Sequence, residues 1–295
     1  MPVTPARADT DTPLAAIARL LACPECGAGM TVRDRSLSCA RESLSNTRGH
    51  AFDLARQGYV SLLTGASTKM TGDTADMLDA RAAFQRARHF TPIADAAAAA
   101  LTTGSPVHSI LEVGAGTGYY LAAALDAAPG AHGIALDVSK FAARRAARAH
   151  PRAASVLADA WRGLPVRDGA LSRVLSVFAP RNPDEVARVL APGGIFVVVT
   201  PTSRHLSELI VPLGMVGVDA AKDERLAATL SGRFDRLAER VVEYSMRLGH
   251  ADVTNVVGMG PSAHHAAAQR ADRIAALPET VEVTASVTVS TYRPH

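Results

Sequence analysis

Cysteine is scarce: three residues in 295, at positions 23, 26 and 39. An odd, clustered set with no export signal ahead of it argues against a disulfide framework and leaves metal ligation as the better reading. Long apolar runs are missing too, and nothing approaches the ~18 residues that would cross a bilayer. The opening MPVTPARADTDTP places Asp9 and Asp11 before the short apolar LAAIARLL, which a secretory signal does not tolerate. Residues 1–20 are therefore expected to form a disordered leader, and the compartment is expected to be cytoplasmic. Neither sign of charge dominates: a net +3 and a pI near 8.9 permit a polyanionic partner without demanding one. Internal repeats are absent as well.

What is present fits a globular chain, with 48% hydrophobic and 20% charged residues. The length suits a small domain followed by a large one. Residues 21–63 hold the cysteines and GHAFDLARQGYVSLL, a piece too small for a self-sufficient core without a staple. Residues 64–105 read as a connector. Its Met77, Leu78, Ala80, Arg81 and Phe84 recur at helical spacing after Thr74 as N-cap, and a second helix covers Ala96–Leu101. From residue 106 to 295 strand and helix alternate. SILEV, HGIALDV, ASVLADA, RVLSVFA and GIFVVVT are the strands, which calls for a mostly parallel sheet flanked by helices. Near the end, TVEVTASVTVSTY alternates strictly, which predicts a half-exposed strand that could form an antiparallel edge with ERVVEYSMRL.

Glu112-Val113-Gly114-Ala115-Gly116-Thr117-Gly118 follows a strand and opens a helix. Glycines there permit a sharp turn and a close backbone approach to a ligand. A dinucleotide loop reads G-x-G-x-x-G to hold a pyrophosphate. The G-x-G-x-G spacing after Glu112 instead suits S-adenosylmethionine, which carries no phosphate. Asp137 ends the next strand, where a carboxylate can take both ribose hydroxyls. Asp159 ends the third strand, facing an adenine amino group, with Trp161 beside it for stacking. The bland reading is generic turn glycines and solvating acids. Pro192-Gly193-Gly194 is a turn before the fifth strand.

Cys23 and Cys26 form a C-x-x-C knuckle, half of a tetrahedral zinc site, and Cys39 and His50 can complete it as a closed structural centre. The alternative is three buried thiols and a surface histidine. The polar ARESLSNTRG separates Cys39 from His50 and is expected to loop out without moving the ligands.

With these pieces in view, the chain resembles the bacterial 23S ribosomal RNA guanine-N1-methyltransferases. CPECG, GHAFDLARQGYVSLL, GDTADMLDARAAF, ILEVGAGTGYY, LDVSK, FAPRNPDEVARVLAPGG and TPTSRHLSEL carry the likeness, in order, over about residues 22–210. VVGMGPSAHH points to the macrolide-resistance branch of actinomycetes. The resemblance implies a class I Rossmann-like methyltransferase fold with a seven-stranded sheet behind a small zinc ribbon. It implies methyl transfer to a guanine in a domain II hairpin loop, 748-type favoured over 745-type. It makes Cys23, Cys26, Cys39 and His50 the zinc ligands, Gly116, Thr117 and His205 cofactor contacts, and the protein a homodimer. Phe90, in Arg88-His89-Phe90, stands where the family has a tyrosine lining the cofactor pocket; the ring is kept and the hydroxyl lost.

No residue is assigned as general base for the N1 proton. Asp73, Asp76, Asp79 and His89 are candidates, set against a plain exposed helix face. Arg33, Arg35, Arg41 and Arg48 on the zinc module are expected to hold RNA, so that removing residues 1–63 should abolish RNA methylation and spare cofactor binding. Lys140, Arg144, Arg145, Arg148 and Arg152 form a second basic stripe, read as solvated more readily than as RNA-binding. Two other functions compete: a small-molecule methyltransferase, for which the zinc module would have no use, and a zinc-dependent RNA-binding protein with a decayed cofactor pocket.

Overall fold

The computed structural model describes residues 12–40, 49–65, 70, 72–215, 217, 222–260 and 267–295. Near its start α1 (Pro13–Ala18) forms because Thr12 accepts the Ala15 amide and Pro13 presets the first turn. A small antiparallel sheet follows, from β1 (Met30–Arg33), β2 (Ser36–Cys39) and β3 (Ala51–Asp53). Then come β4 (Tyr59–Ser61), α2 (Ala75–Arg86) and α3 (Thr91–Thr102). Thr74 caps α2 by accepting the Met77 amide, as its sequence position predicts.

The alternating region supplies β5 (Ser109–Val113), α4 (Tyr119–Ala127), β6 (His132–Asp137), α5 (Lys140–Ala146), β7 (Ala153–Leu157), β8 (Leu171–Val177), α6 (Pro183–Val189) and β9 (Leu190–Pro201). Beyond them lie α7 (Ser207–Leu213), α8 (Lys222–Ser231), β10 (Phe234–Gly249), α9 (His250–Gly258), α10 (Ala267–Ala275) and β11 (Thr280–Pro294). The main sheet runs β10-β11-β9-β8-β5-β6-β7-β4. Pairings from β4 to β9 are parallel, and the β9–β11 and β11–β10 pairings are antiparallel. Pro192-Gly193-Gly194 lies inside β9, at a register break between the Leu171–Leu190 and Arg173–Ile195 pairs. Successive strands leave β5 in opposite directions, first towards β6 and later to β8. The crevice at that reversal is where open α/β sheets bind ligands.

Both faces of the parallel strands β5–β9 are covered, so these strands are apolar on both sides, while the edge strand β10 is largely exposed. Ile195, Val197 and Val199 of β9 face α3 and α4, while Phe196 and Val198 face the layer that contains α1 and α6. The expected leader is corrected here. Leu14, Ile17, Ala18 and Leu21 are buried against Ile134, Leu136 and Val156, because the apolar stripe of α1 closes the sheet face beneath the cysteine module. Residues 1–11 lie outside the described residues. The seven-strand expectation is also amended, since Tyr59–Ser61 adds an eighth strand parallel to β7. Cys23, Met30, Leu37 and Cys39 share one apolar cluster with the sheet. A boundary at residue 63 would cut through that core, so deleting residues 1–63 would strip the sheet rather than remove a detachable module.

Arg173, on the central strand β8, is fully buried. Its Nε donates to Leu101 O at 2.6 Å, Nη2 to Thr103 O at 3.1 Å and to Ser105 O at 2.5 Å, and Nη1 to Ser172 O at 2.8 Å. The guanidinium thereby satisfies the carbonyls where α3 ends. Arg173→Met fills the space but orphans four carbonyls. Denaturant unfolding should show a loss of about 3 kcal/mol or more.

Candidate functional site

The glycine loop occupies the crevice between β5 and α4. Gly114, Gly116 and Gly118 all have positive φ, at 70°, 55° and 78°. Space as well as angle demands the first and third. A Cβ on Gly114 would come 2.6 Å from the Ala179 Cβ, and one on Gly118 would come 2.6 Å from the Ala149 Cβ. The loop opens on a cavity of about 710 Å³. Of the residues expected to touch a cofactor, Phe90, Glu112, Gly114, Gly116, Thr117, Asp137, Asp159 and His205 all line it. Gly118 does not. It is the left-handed N-cap of α4, and its glycine serves the packing of α5 rather than the cavity wall.

Asp137 ties the site together. Its Oδ2 accepts the Gly116 amide and its Oδ1 the Ser139 amide, both at 2.8 Å. Burial raises its carboxyl above the usual range, those two amides pull it back, and the Asp73 charge adds to the rise. Asp159 accepts the Trp161 amide at 3.0 Å and so starts the short 3-10 turn Ala160–Arg162, which holds the Trp161 ring at the cavity rim. Thr117 donates its hydroxyl to Gln85 Oε1 at 2.6 Å. Arg81 pairs with Asp73 at 2.5 Å and donates to Met259 O at 2.9 Å, joining α2 to the end of α9 across the opening.

Glu112 is buried beneath the loop and accepts the Leu121 amide at 3.0 Å. Desolvation pushes its carboxyl up to about 8. Its folded pKa thus lies above the ordinary value of about 4.5 that the unfolded chain keeps. The stability it confers is fully present below pH 4.5 and lost as pH rises through 8. Glu112→Gln should therefore gain stability over the wild type progressively from about pH 5 to pH 8.5. Melts of the cofactor-free protein across that range would show it, and a constant difference would refute it.

His205 closes the opposite end of the cavity. Its Nδ1 accepts the Ser286 amide at 3.2 Å, which leaves Nε2 to carry the proton of the neutral ring. Burial lowers its pKa to about 4, so it is uncharged at neutral pH. Its ring centroid lies 5.8 Å from Phe90 and 5.6 Å from Phe178. Phe90 is buried, and no hydroxyl is available there for a polar contact.

The candidate bases separate. Asp73 lines the cavity within its Arg81 ion pair. Asp76 is exposed, Asp79 pairs with Arg145, and His89 sits 3.2 Å from Asp252, all three off the cavity wall. Within the basic stripe Arg152 is structural, donating to Leu125 O, Ala128 O and Ala131 O where α4 ends, Arg145 pairs with Asp79, and Lys140 and Arg148 are exposed. Arg33 and Arg35 are exposed at the β1–β2 turn, while Arg41 and Arg48 lie outside the described residues. Sequence reasoning missed Arg81, Gln85, Phe178, Arg181 and Asn182 as cavity residues. Their presence follows from α2 lying across the loop and from the turn after β8, and no spacing signals either.

Cys23, Cys26, Cys39 and His50 converge, with their ligand atoms all within 4.8 Å of one another. Cys23 Sγ is 3.5 Å from His50 Nδ1, Cys39 Sγ is 3.8 Å from the same nitrogen, and Cys26 and Cys39 sulfurs are 3.9 Å apart. A tetrahedron with ~2.3 Å metal–sulfur and ~2.0 Å metal–nitrogen bonds has edges of about 3.5–3.8 Å, so the donor set fits zinc. The antiparallel register explains the sequence gap. Ser38 faces Ala51, and the Cys39 amide donates to His50 O, so the antiparallel β2–β3 pairing sets Cys39 and His50 side by side; residues 41–48, where the loop between them is expected, lie outside the described residues.

A family model described as "Methyltransferase domain" matches residues 110–194. The "23S rRNA (guanine(748)-N(1))-methyltransferase" of Streptomyces fradiae is 45% identical over 283 residues, covering 94% of this chain and 98% of the relative. The Micromonospora griseorubida protein named "Putative 23S rRNA (guanine-N(1)-)-methyltransferase" is 46% identical, covering 93% of this chain and 97% of the relative. Among solved structures, the complex of the Haloferax volcanii Trm112 methyltransferase activator with "the putative methyltransferase" contains a chain matched at TM-score 0.50 and 18% identity. The match covers 77% of this chain and 100% of that one, and it bears on the fold alone. Among the described residues no helix is long and apolar enough to cross a membrane.

Proposed function

Since the chain belongs to the family of 23S rRNA (guanine-N1)-methyltransferases, we infer that it transfers a methyl group from S-adenosylmethionine to N1 of a guanine in 23S rRNA. Identity at this level over nearly the whole length carries the reading, because it includes the cysteine module as well as the cofactor domain. A small-molecule substrate would leave that module without a role. A decayed pocket is disfavoured by a glycine loop that still packs at its steric limit against Ala179 and Ala149.

Gly114, Gly116 and Thr117 would offer backbone to the cofactor, Asp137 and Asp159 its hydroxyl and amino partners, and Phe90 and His205 the far wall. Bound there, S-adenosylmethionine supplies an electrophilic methyl on a good leaving group. The protein's contribution is then mainly to position the acceptor and exclude water. The N1 proton has to leave, by a route to which no side chain is assigned. The Cys23–Cys26–Cys39–His50 set would hold a structural zinc ion with no open ligand position. Arg33 and Arg35 on the β1–β2 turn of that stapled head would meet RNA phosphates.

The target in this reading is guanine 748 in a hairpin loop of domain II, the nucleotide for which the S. fradiae relative is named. A loop base can be splayed out at modest cost. A second copy is expected at the free sheet edge, where β10 exposes Leu237 and Val241, and sedimentation would test it. Reverse-transcription stop mapping of 23S RNA from cells with and without the protein tests the whole reading. N1 methylation blocks the pairing edge, so a stop should appear at the target. Its absence everywhere in 23S RNA would overturn the function, and macrolide susceptibility of the same cells reads the physiological consequence.

A further inference from the structure

Phe178 is where the chain leaves β8 for the cavity, and its setting is not that of a core residue. Its φ is +54°, in the left-handed region that side chains other than glycine seldom occupy. The surroundings hold it there. Its amide donates to Val199 O at 3.1 Å, the Ser176 hydroxyl donates to Ala179 O at 3.2 Å, and Ala179 is pressed against Gly114. Backbone conformations of this kind persist where neighbours over-determine them, and they cluster at ligand sites. The turn aims an apolar ring outward: Phe178 is 40% exposed and lines the cavity. Behind it stand other rings, His205 at 5.6 Å, Phe90 at 6.2 Å and Tyr120 at 6.4 Å between centroids. One side of the ring is therefore backed and the other open.

Position in the sheet separates this ring from the nucleoside end of the cavity. Asp137 and Asp159, the carboxylates suited to a cofactor's ribose and adenine, follow β6 and β7. Phe178 follows β8, on the other side of β5. An open aromatic face across the glycine loop from the cofactor carboxylates suits a second flat ring. We propose that Phe178 is the stacking surface on which the target guanine rests once it has been splayed out of the RNA loop. The proposal rests on the methyltransferase reading above and adds to it the residue that seats the base. Stacking on an aromatic side chain is indifferent to hydrogen-bonding pattern, so Phe178 grips the base and leaves its N1 edge free to face the methyl donor.

Phe178→Leu and Phe178→Trp in the full-length, zinc-replete protein separate stacking from mere apolar filling. Leucine keeps an apolar side chain and loses the π-face; tryptophan keeps the face. On a transcript of the domain II hairpin, kcat/KM should fall roughly 10- to 100-fold for the leucine variant and stay within about threefold for the tryptophan variant. Calorimetric S-adenosylmethionine affinity and melting temperature should match the wild type in both. A leucine variant with wild-type kcat/KM overturns the proposal. So does one whose loss is matched by weakened cofactor binding, which would make Phe178 part of the cofactor wall. A wild-type protein that binds the cofactor but leaves every RNA unmethylated would refute the functional reading itself, and the stacking role with it.

Discussion

Cys39→Ser is expected to release the zinc proposed for the cysteine cluster and to lower the melting of the entire chain, not of a detached module alone. Cys39 holds two positions at once. Its sulfur lies 3.9 Å from Cys26 and 3.8 Å from His50 Nδ1, and it accepts the His50 amide at 3.2 Å. Its buried neighbours belong to the cluster that also contains Ile134, Val156 and Phe196 of the main sheet. Structural zinc contributes folding free energy directly, on the order of 10 kcal/mol in small modules. Losing one of four ligands forfeits much of that. Because α1 and β4 are anchored through the same core, the loss propagates to the sheet. Zinc content by mass spectrometry with a thermal melt of the same sample would check this. A variant that held no zinc yet melted like the wild type would show the cluster to be thermodynamically idle.

Asp137→Ala is expected to weaken S-adenosylmethionine binding at least a hundredfold, about 3 kcal/mol. Two effects add. The variant removes the carboxylate proposed to take the cofactor hydroxyls, and it frees the Gly116 and Ser139 amides that the carboxylate now holds at 2.8 Å. Charge-assisted hydrogen bonds contribute roughly 1.5–3 kcal/mol each, so losing the loop's anchor together with the cofactor contact makes a hundredfold effect a lower bound. Asp137→Asn keeps one acceptor oxygen and should fall between. Calorimetry on the zinc-replete protein measures both. An alanine variant that bound the cofactor within about threefold of the wild type would take Asp137 out of the site.

Much of this organisation is legible in the chain. Strict alternation in TVEVTASVTVSTY marks β11, and the β5, β6, β8 and β9 strands follow from their apolar runs, because the parallel sheet is buried on both faces. Glu112, Gly114 and Asp137 are recognisable because a strand end, a tight turn and the next strand end come at fixed separations in any βαβ unit. Other features are not legible. The leader reading missed α1, since six residues of modest apolarity form a helix here only because the sheet face supplies their partner. Arg152 belongs to a run of basic residues, and only the fold shows that it caps α4.

The sequence by itself determined the alternating α/β order, the glycine loop with its two strand-end carboxylates, and the C-x-x-C knuckle of the cysteine–histidine cluster. Each of these is written in local spacing, which backbone geometry translates without help from the rest of the chain. Tertiary structure alone decided that His50 lies beside Cys39, that the cysteine head shares the core of the sheet, and that Arg81, Phe178 and His205 meet around one cavity. Those contacts join segments up to nearly two hundred residues apart, as Arg81 to Met259. They are fixed by how sheet register and helix packing fold the chain onto itself, for which a linear pattern has no signal.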